Sequence, residues 1–105
     1  MTETITHTAN LWRWTANNGV SWFFLTIDGE AGEALSGTAL MRRLENGTKR
    51  GWGGIKVSAK IGGSEWQTSV FPQKAEDGWL LPVKAAIRKA EAMDEGSEAA
   101  VTLRF

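Results

Sequence analysis

The chain has 105 residues, which suits a single domain that buries most of its apolar surface without cross-links. It contains no cysteine, which excludes a disulfide framework, a thiolate nucleophile and a cysteine-ligated metal site. Its 12 basic and 12 acidic residues cancel, which argues against a protein held to nucleic acid by its overall field. We therefore expect one domain over residues 1–105.

The first ten residues are polar and rich in threonine, without the apolar core of a secretory signal. No apolar run approaches the ~20 residues needed to span a bilayer. We therefore expect a cytoplasmic protein with no membrane partner, and a frayed N-terminal arm over residues 1–7. The only histidine, His7, lies in that arm, so a serine–histidine–acid catalytic arrangement is unsupported.

The next segment predicts a hairpin followed by a helix. Residues 8–15 and 20–27 have strand patterns, and an Asn-Gly turn at Asn18 and Gly19 separates them. The second strand is apolar on both faces, which favours a central position or a helix packed over it. Asp28 is placed to cap a helix, and we expect that helix to break near Gly37.

The second half predicts three more strands, a short helix and a final strand. Residues 55–61 alternate apolar and polar, Gly62 and Gly63 form a tight turn, and residues 65–71 return as the next strand. A short strand at 79–81 precedes a helix after Pro82, and residues 98–105 alternate as a last strand. We expect a mainly β chain (α+β class) with about six strands and two short helices, most economically a small barrel capped by helices.

Aromatic side chains are unusually numerous, with six tryptophans and four phenylalanines. Each large ring buries about 150–250 Å² when it is interior, so most of them should lie in the core. Trp52 differs because it stands between Gly51 and Gly53, in a glycine segment that follows Lys49 and Arg50. Those glycines indicate either a bulge or the close approach of another molecule, in which case Trp52 would stack on a ligand.

Basic residues are locally concentrated. Residues 42–60 contain six cations against the single acid Glu45, which indicates either a solvated face or an anion site. Lys84 and Arg88 are like-charged neighbours on the predicted second helix, and their repulsion is compensated by Glu91, by an acid from elsewhere or by a bound anion. The sequence favours a surface pair between Glu91 and Arg88. Ser69 offers a hydroxyl in the preceding strand. The candidate ligand-binding residues are Arg50, Trp52, Lys56, Ser69, Lys84 and Arg88.

Four ordered motifs resemble one known family. They read L-W-R-W at 11–14, R-G-W-G-G-I-K-V at 50–57, W-Q-T-S-V-F-P at 66–72 and L-L-P-V-K-A-A-I-R-K-A at 80–90. Together they resemble the bacterial family called domain of unknown function 1905. The resemblance implies a small split β-barrel with helices closing its ends, similar in outline to the swapped-hairpin DNA-binding domains of antitoxins and transition-state regulators. Some members carry a second domain associated with bacteriocin protection, and no activity comes with the family.

Three kinds of function stay open. The leading hypothesis is a non-enzymatic binding module that holds a small or extended anionic ligand. Nucleic-acid binding by analogy of fold is disfavoured by the zero net charge, and a protein-interaction or homodimerisation domain is a further alternative. We expect no metal and no cofactor, and an enzyme would have only Lys84 or a hydroxyl such as Ser69 as its reactive group.

Overall fold

A computed structural model describes residues 3–46, 54–73 and 78–105 of the chain. The strands are β1 Thr4–Asn10, β2 Trp12–Thr15, β3 Ser21–Ile27, β4 Ile55–Ile61, β5 Ser64–Pro72, β6 Trp79–Pro82 and β7 Glu98–Arg104. The helices are α1 Gly29–Asn46, between β3 and β4, and α2 Ala85–Ala90, between β6 and β7. The protein is mainly β with two helices, as the sequence predicted.

All seven strands belong to one antiparallel sheet that curls into a half-barrel. Its order is β1-β7-β4-β5-β6-β3-β2, so the two ends of the sheet come from the first two strands of the chain. Two predicted hairpins are confirmed, β2 with β3 and β4 with β5. In the first of them, the Asn18 side-chain oxygen accepts a hydrogen bond from the Val20 amide, and Gly19 has a φ of +87°.

The N-terminal segment is a strand where we expected a frayed arm. Thr4 to Asn10 pairs along its whole length with β7, and the inward side chains Ile5 and Ala9 pack on the core. The chain then bends at Leu11, which is buried and whose amide donates to the Ser97 carbonyl at 2.8 Å. The predicted strand over residues 8–15 is therefore two strands, because Leu11 turns inward between them.

Helix α1 is longer than predicted. It runs for 18 residues and continues through Gly37, where we expected a break. Leu35 is completely buried, and the indole N–H of the buried Trp79 donates to the Ser36 hydroxyl at 3.0 Å. An exposed glycine inside a helix costs about 1 kcal/mol relative to alanine. The tertiary contacts of Leu35 and Ser36 stabilise the helix by more than this cost. Neither helix of the described part is long and apolar enough to cross a bilayer.

The core lies on the concave side of the sheet, against α1 and α2. Its most completely buried large residues come from α1, from the strands β3 to β7 and from the bend between β1 and β2: Leu11, Leu25, Ile27, Leu35, Val57, Val70, Leu81, Val101 and Leu103. Trp66 and Trp79 are buried, as predicted. The same prediction is wrong for Trp14 and Trp22, which are 51% and 52% exposed because they face each other on the outer side of the β2–β3 hairpin.

The outer side of the sheet has two parts of different chemistry. On β1, β7 and β4 lies a polar face, which we define by Thr4, Thr6, Thr8, Lys56, Ser58, Lys60, Thr102 and Arg104. On β2, β3, β6 and the end of β5 lies an aromatic face, which we define by Trp12, Trp14, Trp22, Phe24, Phe71, Leu80 and Pro82. The remaining outward residues of β5 separate the two faces.

Candidate functional site

A groove opens where the short strand β6 ends. Strand β6 lies between β3 and β5, with Leu80 paired to Thr26 on one side and to Phe71 on the other. After Val83, whose amide donates to the Phe23 carbonyl, the chain leaves the sheet for α2, whereas β3 and β5 extend further past this point. The groove has a volume of about 280 Å³, and its walls include Trp22, Phe23, Trp66, Thr68, Lys84 and Arg88.

Arg88 is held in place at the groove by two contacts. Its Nε donates to the carbonyl of Val83 at 3.2 Å, and its guanidinium carbon lies 3.8 Å from the centre of the Phe23 ring. A guanidinium has five N–H donors, and the described residues provide a partner for only this one. The four donors on the terminal nitrogens are thus available to a ligand, on a group that the ring already orients.

Glu91 does not neutralise this cation, although the sequence favoured a pair between Glu91 and Arg88. The Glu91 carboxylate instead accepts a hydrogen bond of 2.6 Å from the hydroxyl of Ser64, next to the β4–β5 turn. The reason is that the turn packs against the end of α2, with Gly62 in close contact with the same carboxylate. Lys84 and Arg88 thus remain like-charged neighbours without that predicted partner.

The charged side chains that line the groove are all positive. Among its described lining residues are two cations, Lys84 and Arg88, and no carboxylate. Neutral polar groups also line it, from Ser21, Gln67 and Thr68, and the rest of the wall is largely aromatic or aliphatic. This combination favours a ligand that has a negative group and an apolar part.

The predicted site residues fall into separate places. Lys84 and Arg88 come together in the groove. Lys56 and Ser69 are direct partners across the β4–β5 pair and lie on the outer side of the sheet. Lys56 also lines a shallow depression of about 590 Å³ that includes Glu65 and Arg104. Arg50 and Trp52 lie outside the described residues.

The glycines near Trp52 are described only at Gly54. A side chain there would meet the Val70 carbonyl and the Phe71 ring, both at 2.9 Å. The close approach at this glycine is therefore to the neighbouring strand β5. The choice between a bulge and a ligand contact at Gly51 and Gly53 lies outside the described residues.

Sequence reasoning did not select Trp22, Phe23, Trp66 or Gln67 as site residues. It assigned the tryptophans to the core, although Trp22 borders the groove and Trp66 is both buried and part of its wall. The available signal was the shortness of β6, which Pro82 and the following helix terminate. A strand that ends before its two neighbours leaves a gap between them.

The described residues contain no group of three or more histidine, aspartate or glutamate side chains arranged to hold a metal ion. His7 is placed by a different interaction, since its Nε2 lies 3.3 Å from the Asp28 carboxylate at the start of α1. The imidazole is 17% exposed, so His7 does not lie in a frayed arm, where the sequence placed it. The contact joins β1 to the beginning of α1.

Fold and site together define a small, mainly β half-barrel domain with a basic, aromatic-walled groove at the end of a short internal strand. Residues 7–103 match the family described as "Domain of unknown function (DUF1905)", and the chain belongs to that family. The match covers nearly the whole chain and confirms the resemblance seen in the four motifs. No curated protein is significantly similar to the chain.

Proposed function

We propose that this domain is a binding module whose groove holds an anionic ligand with an adjoining flat or apolar part. The observation that carries the proposal is the fixed guanidinium of Arg88, between the Val83 carbonyl and the Phe23 ring, with Lys84 on the same groove. A cation ordered in this way has little conformational freedom left to lose when it binds an anion.

The charge of the groove supports an anion. Lys84, at the N-cap of α2, and Arg88, in that helix, are like charges on the same groove, and an anion between them would replace their repulsion by attraction. Arginine also presents its donors in a planar fork that matches a carboxylate or a phosphate. With no acidic side chain among the described lining residues, a bound anion meets no repulsion from the groove itself.

The walls support an apolar part next to the negative group. Trp22 and Trp66 contribute to opposite sides of the groove, from β3 and β5. Aromatic walls with a few placed polar groups are typical of small-ligand sites. A simple inorganic ion would use the cations and leave these walls in contact with water.

A thermal-unfolding series with acetate, benzoate and phosphate tests the proposal. Ligand at a hundredfold excess over its Kd adds about 2.7 kcal/mol to the free energy of unfolding, which for a domain of this size raises Tm by roughly 10 °C or more. We expect benzoate to stabilise more than acetate, because only benzoate has a ring to place against the walls.

Arg88→Gln should abolish the stabilisation, and Lys89→Gln is the matched control. Lys89 is an exposed cation on the same helix but is not part of the groove wall. The proposal is wrong if none of the anions changes Tm at low salt, or if Arg88→Gln and Lys89→Gln respond equally to the anion that binds. The unliganded Tm of each variant shows whether it is folded.

A further inference from the structure

The groove continues the line of strand β6 through the sheet. Adjacent strands lie about 4.7–4.9 Å apart, and β6 occupies the space between β3 and β5 at the level of Leu80. The chain leaves this line after Val83, whose amide still pairs with the Phe23 carbonyl, and the neighbours on either side extend further. The gap they enclose near the end of β6 is therefore about as wide as one strand.

The register of the sheet agrees with this interpretation. Pro82 pairs with Phe24, so the next positions along β6 would stand opposite residues 23, 22 and 21 of β3. On the other side, the pairing of Leu80 with Phe71 places residues 68, 67 and 66 of β5 opposite the same positions. These two sets of three residues line the groove. Val83 itself holds the first of the three positions, and the remaining two correspond to about 7 Å of extended chain.

Backbone groups on both walls are directed into this gap. The Phe23 carbonyl accepts from the Val83 amide at 2.9 Å, which shows that Phe23, and with it Ser21, directs its backbone groups to this side of β3. Val83 uses the Phe23 carbonyl, so Ser21 presents its amide and carbonyl to the open part of the gap. On β5, residues 64–70 pair with β4 on one side, and within the described chain β6 reaches only Phe71 and Pro72 on the other. Alternate residues of this β5 segment thus also present amide and carbonyl groups to the gap.

We propose that the groove binds an extended peptide as an added β-strand, with a carboxylate of that peptide on Arg88 and Lys84. This inference rests on the proposed function and names the ligand class for the same groove. A peptide strand would satisfy the backbone groups of both walls, which a small anion cannot do. Its carboxylate, from the C-terminus or from an acidic side chain, complements the two cations.

The first test is selection from peptide libraries on the immobilised full chain. One pool of short random peptides has a free C-terminal carboxylate, and a second pool is amidated. We expect peptides rich in β-branched and aromatic residues to be enriched from the first pool, and from the second only those with aspartate or glutamate. This result also identifies which source supplies the carboxylate. Enrichment of amidated peptides without acidic residues would overturn the role of the carboxylate.

The second test examines the backbone pairing. An enriched peptide is labelled with fluorescein, and its affinity is measured by fluorescence polarisation. N-methylation of amides that point to a wall should weaken binding about tenfold or more, whereas methylation at the alternating positions that point away should not. Equal tolerance of methylation at every position would overturn the added strand, because binding would then not use the backbone.

Variants of the protein connect the peptide to this groove. Arg88→Gln should weaken binding of the labelled peptide about tenfold or more, and Lys89→Gln should leave it unchanged. Arg88→Lys keeps the charge without the fork and should give an intermediate affinity. Equal binding by Arg88→Gln and Lys89→Gln would place the peptide elsewhere and contradict the inference.

The outcomes separate this inference from the function on which it rests. If benzoate or phosphate stabilises the domain in an Arg88-dependent manner while neither pool yields a binding peptide, the anion-binding function stands and the peptide ligand is wrong. If neither the anions nor the peptides bind, both are wrong. Binding of peptides that depends on Arg88 and on alternating amides supports both.

Discussion

The polar face and the aromatic face differ in the side chains that they expose to water, although the interior beneath both is apolar. The polar face is made of threonine, serine, lysine and arginine, with hydroxyl contacts across strands such as Thr6 to Thr102 at 3.3 Å. The aromatic face carries the half-exposed rings of Trp14 and Trp22. It also includes Trp12, whose indole N–H donates to the Thr26 hydroxyl at 2.9 Å.

This difference indicates that burial of the core does not require the exposed rings of the aromatic face. Beneath the polar face, residues such as Val101 and Leu103 fill the interior, and no large apolar side chain of this face is exposed to water. Strand alternation would allow the same solution for β2 and β3. The groove lies where the two faces meet, with Gln67 of β5 on one side and Trp22 of β3 on the other. At least one exposed ring thus borders the proposed binding site.

The largest predicted effect tests whether both faces share one interior. Leu25 of β3 and Leu103 of β7 are each completely buried, beneath the aromatic and the polar face respectively. Leu25→Ala and Leu103→Ala should each lower the free energy of unfolding by about 2–5 kcal/mol, through lost burial and the cavity left behind. Urea unfolding followed by circular dichroism should show one transition in both variants. Two transitions would mean that the halves unfold separately.

The second-largest effect concerns Gly62, in the turn that joins β4 to β5. Gly62 has a φ of +56° and an added side-chain carbon would collide with the Glu91 carboxylate, so Gly62→Ala should cost about 1–2 kcal/mol. Gly63→Ala is the control, since nothing lies within 4 Å of the added carbon. The Gly62→Ala substitution should cost less free energy of unfolding when Glu91 is also replaced by alanine, and a double-mutant cycle measures this difference. Equal costs for the two glycines would contradict the packing of this turn on α2.

A smaller effect compares an exposed with a buried tryptophan. Trp22→Phe on the aromatic face should change stability by about 0.5 kcal/mol or less, since the ring is half exposed. Trp79→Phe should cost more, by about 1 kcal/mol, because the buried indole donates to Ser36 and its second ring would leave a gap. Thermal unfolding of both variants measures the difference. A large loss for Trp22→Phe would show that the aromatic face is needed for folding.

The smallest effect is expected on the polar face itself. Ser58→Ala removes an exposed hydrogen bond of 3.1 Å to the Glu65 carboxylate and should change stability by less than about 0.5 kcal/mol. Ser64→Ala removes the part-buried bond of 2.6 Å to Glu91 and should cost about 1 kcal/mol. Chemical unfolding of the two alanine variants compares them. A greater loss for Ser58→Ala would mean that the polar face contributes to stability beyond its solvation.

The candidate site was only partly predictable. Lys84 and Arg88 were selected from their spacing on a predicted helix. The helix α2 begins only at Ala85, with Lys84 as its extended N-cap residue, and both side chains still line the groove. Phe23 could not be paired with Arg88 from the sequence, because 65 positions separate them and their contact depends on how α2 packs over β3. Lys56 and Ser69 were grouped with the helix cations by charge and polarity, whereas their strands place them on the outer side of the sheet.

The sequence by itself determined the local elements: both hairpins, the helix after Pro82 and the alternating last strand. These follow from turn residues and from periodicity, which act over a few neighbouring positions. Only the tertiary structure decided that residues 4–10 pair with β7, that α1 continues through Gly37 and that Trp14 and Trp22 stay outside. Each of these depends on partners distant in the chain. The groove also depends on tertiary structure, because it exists only where β6 ends between two longer strands.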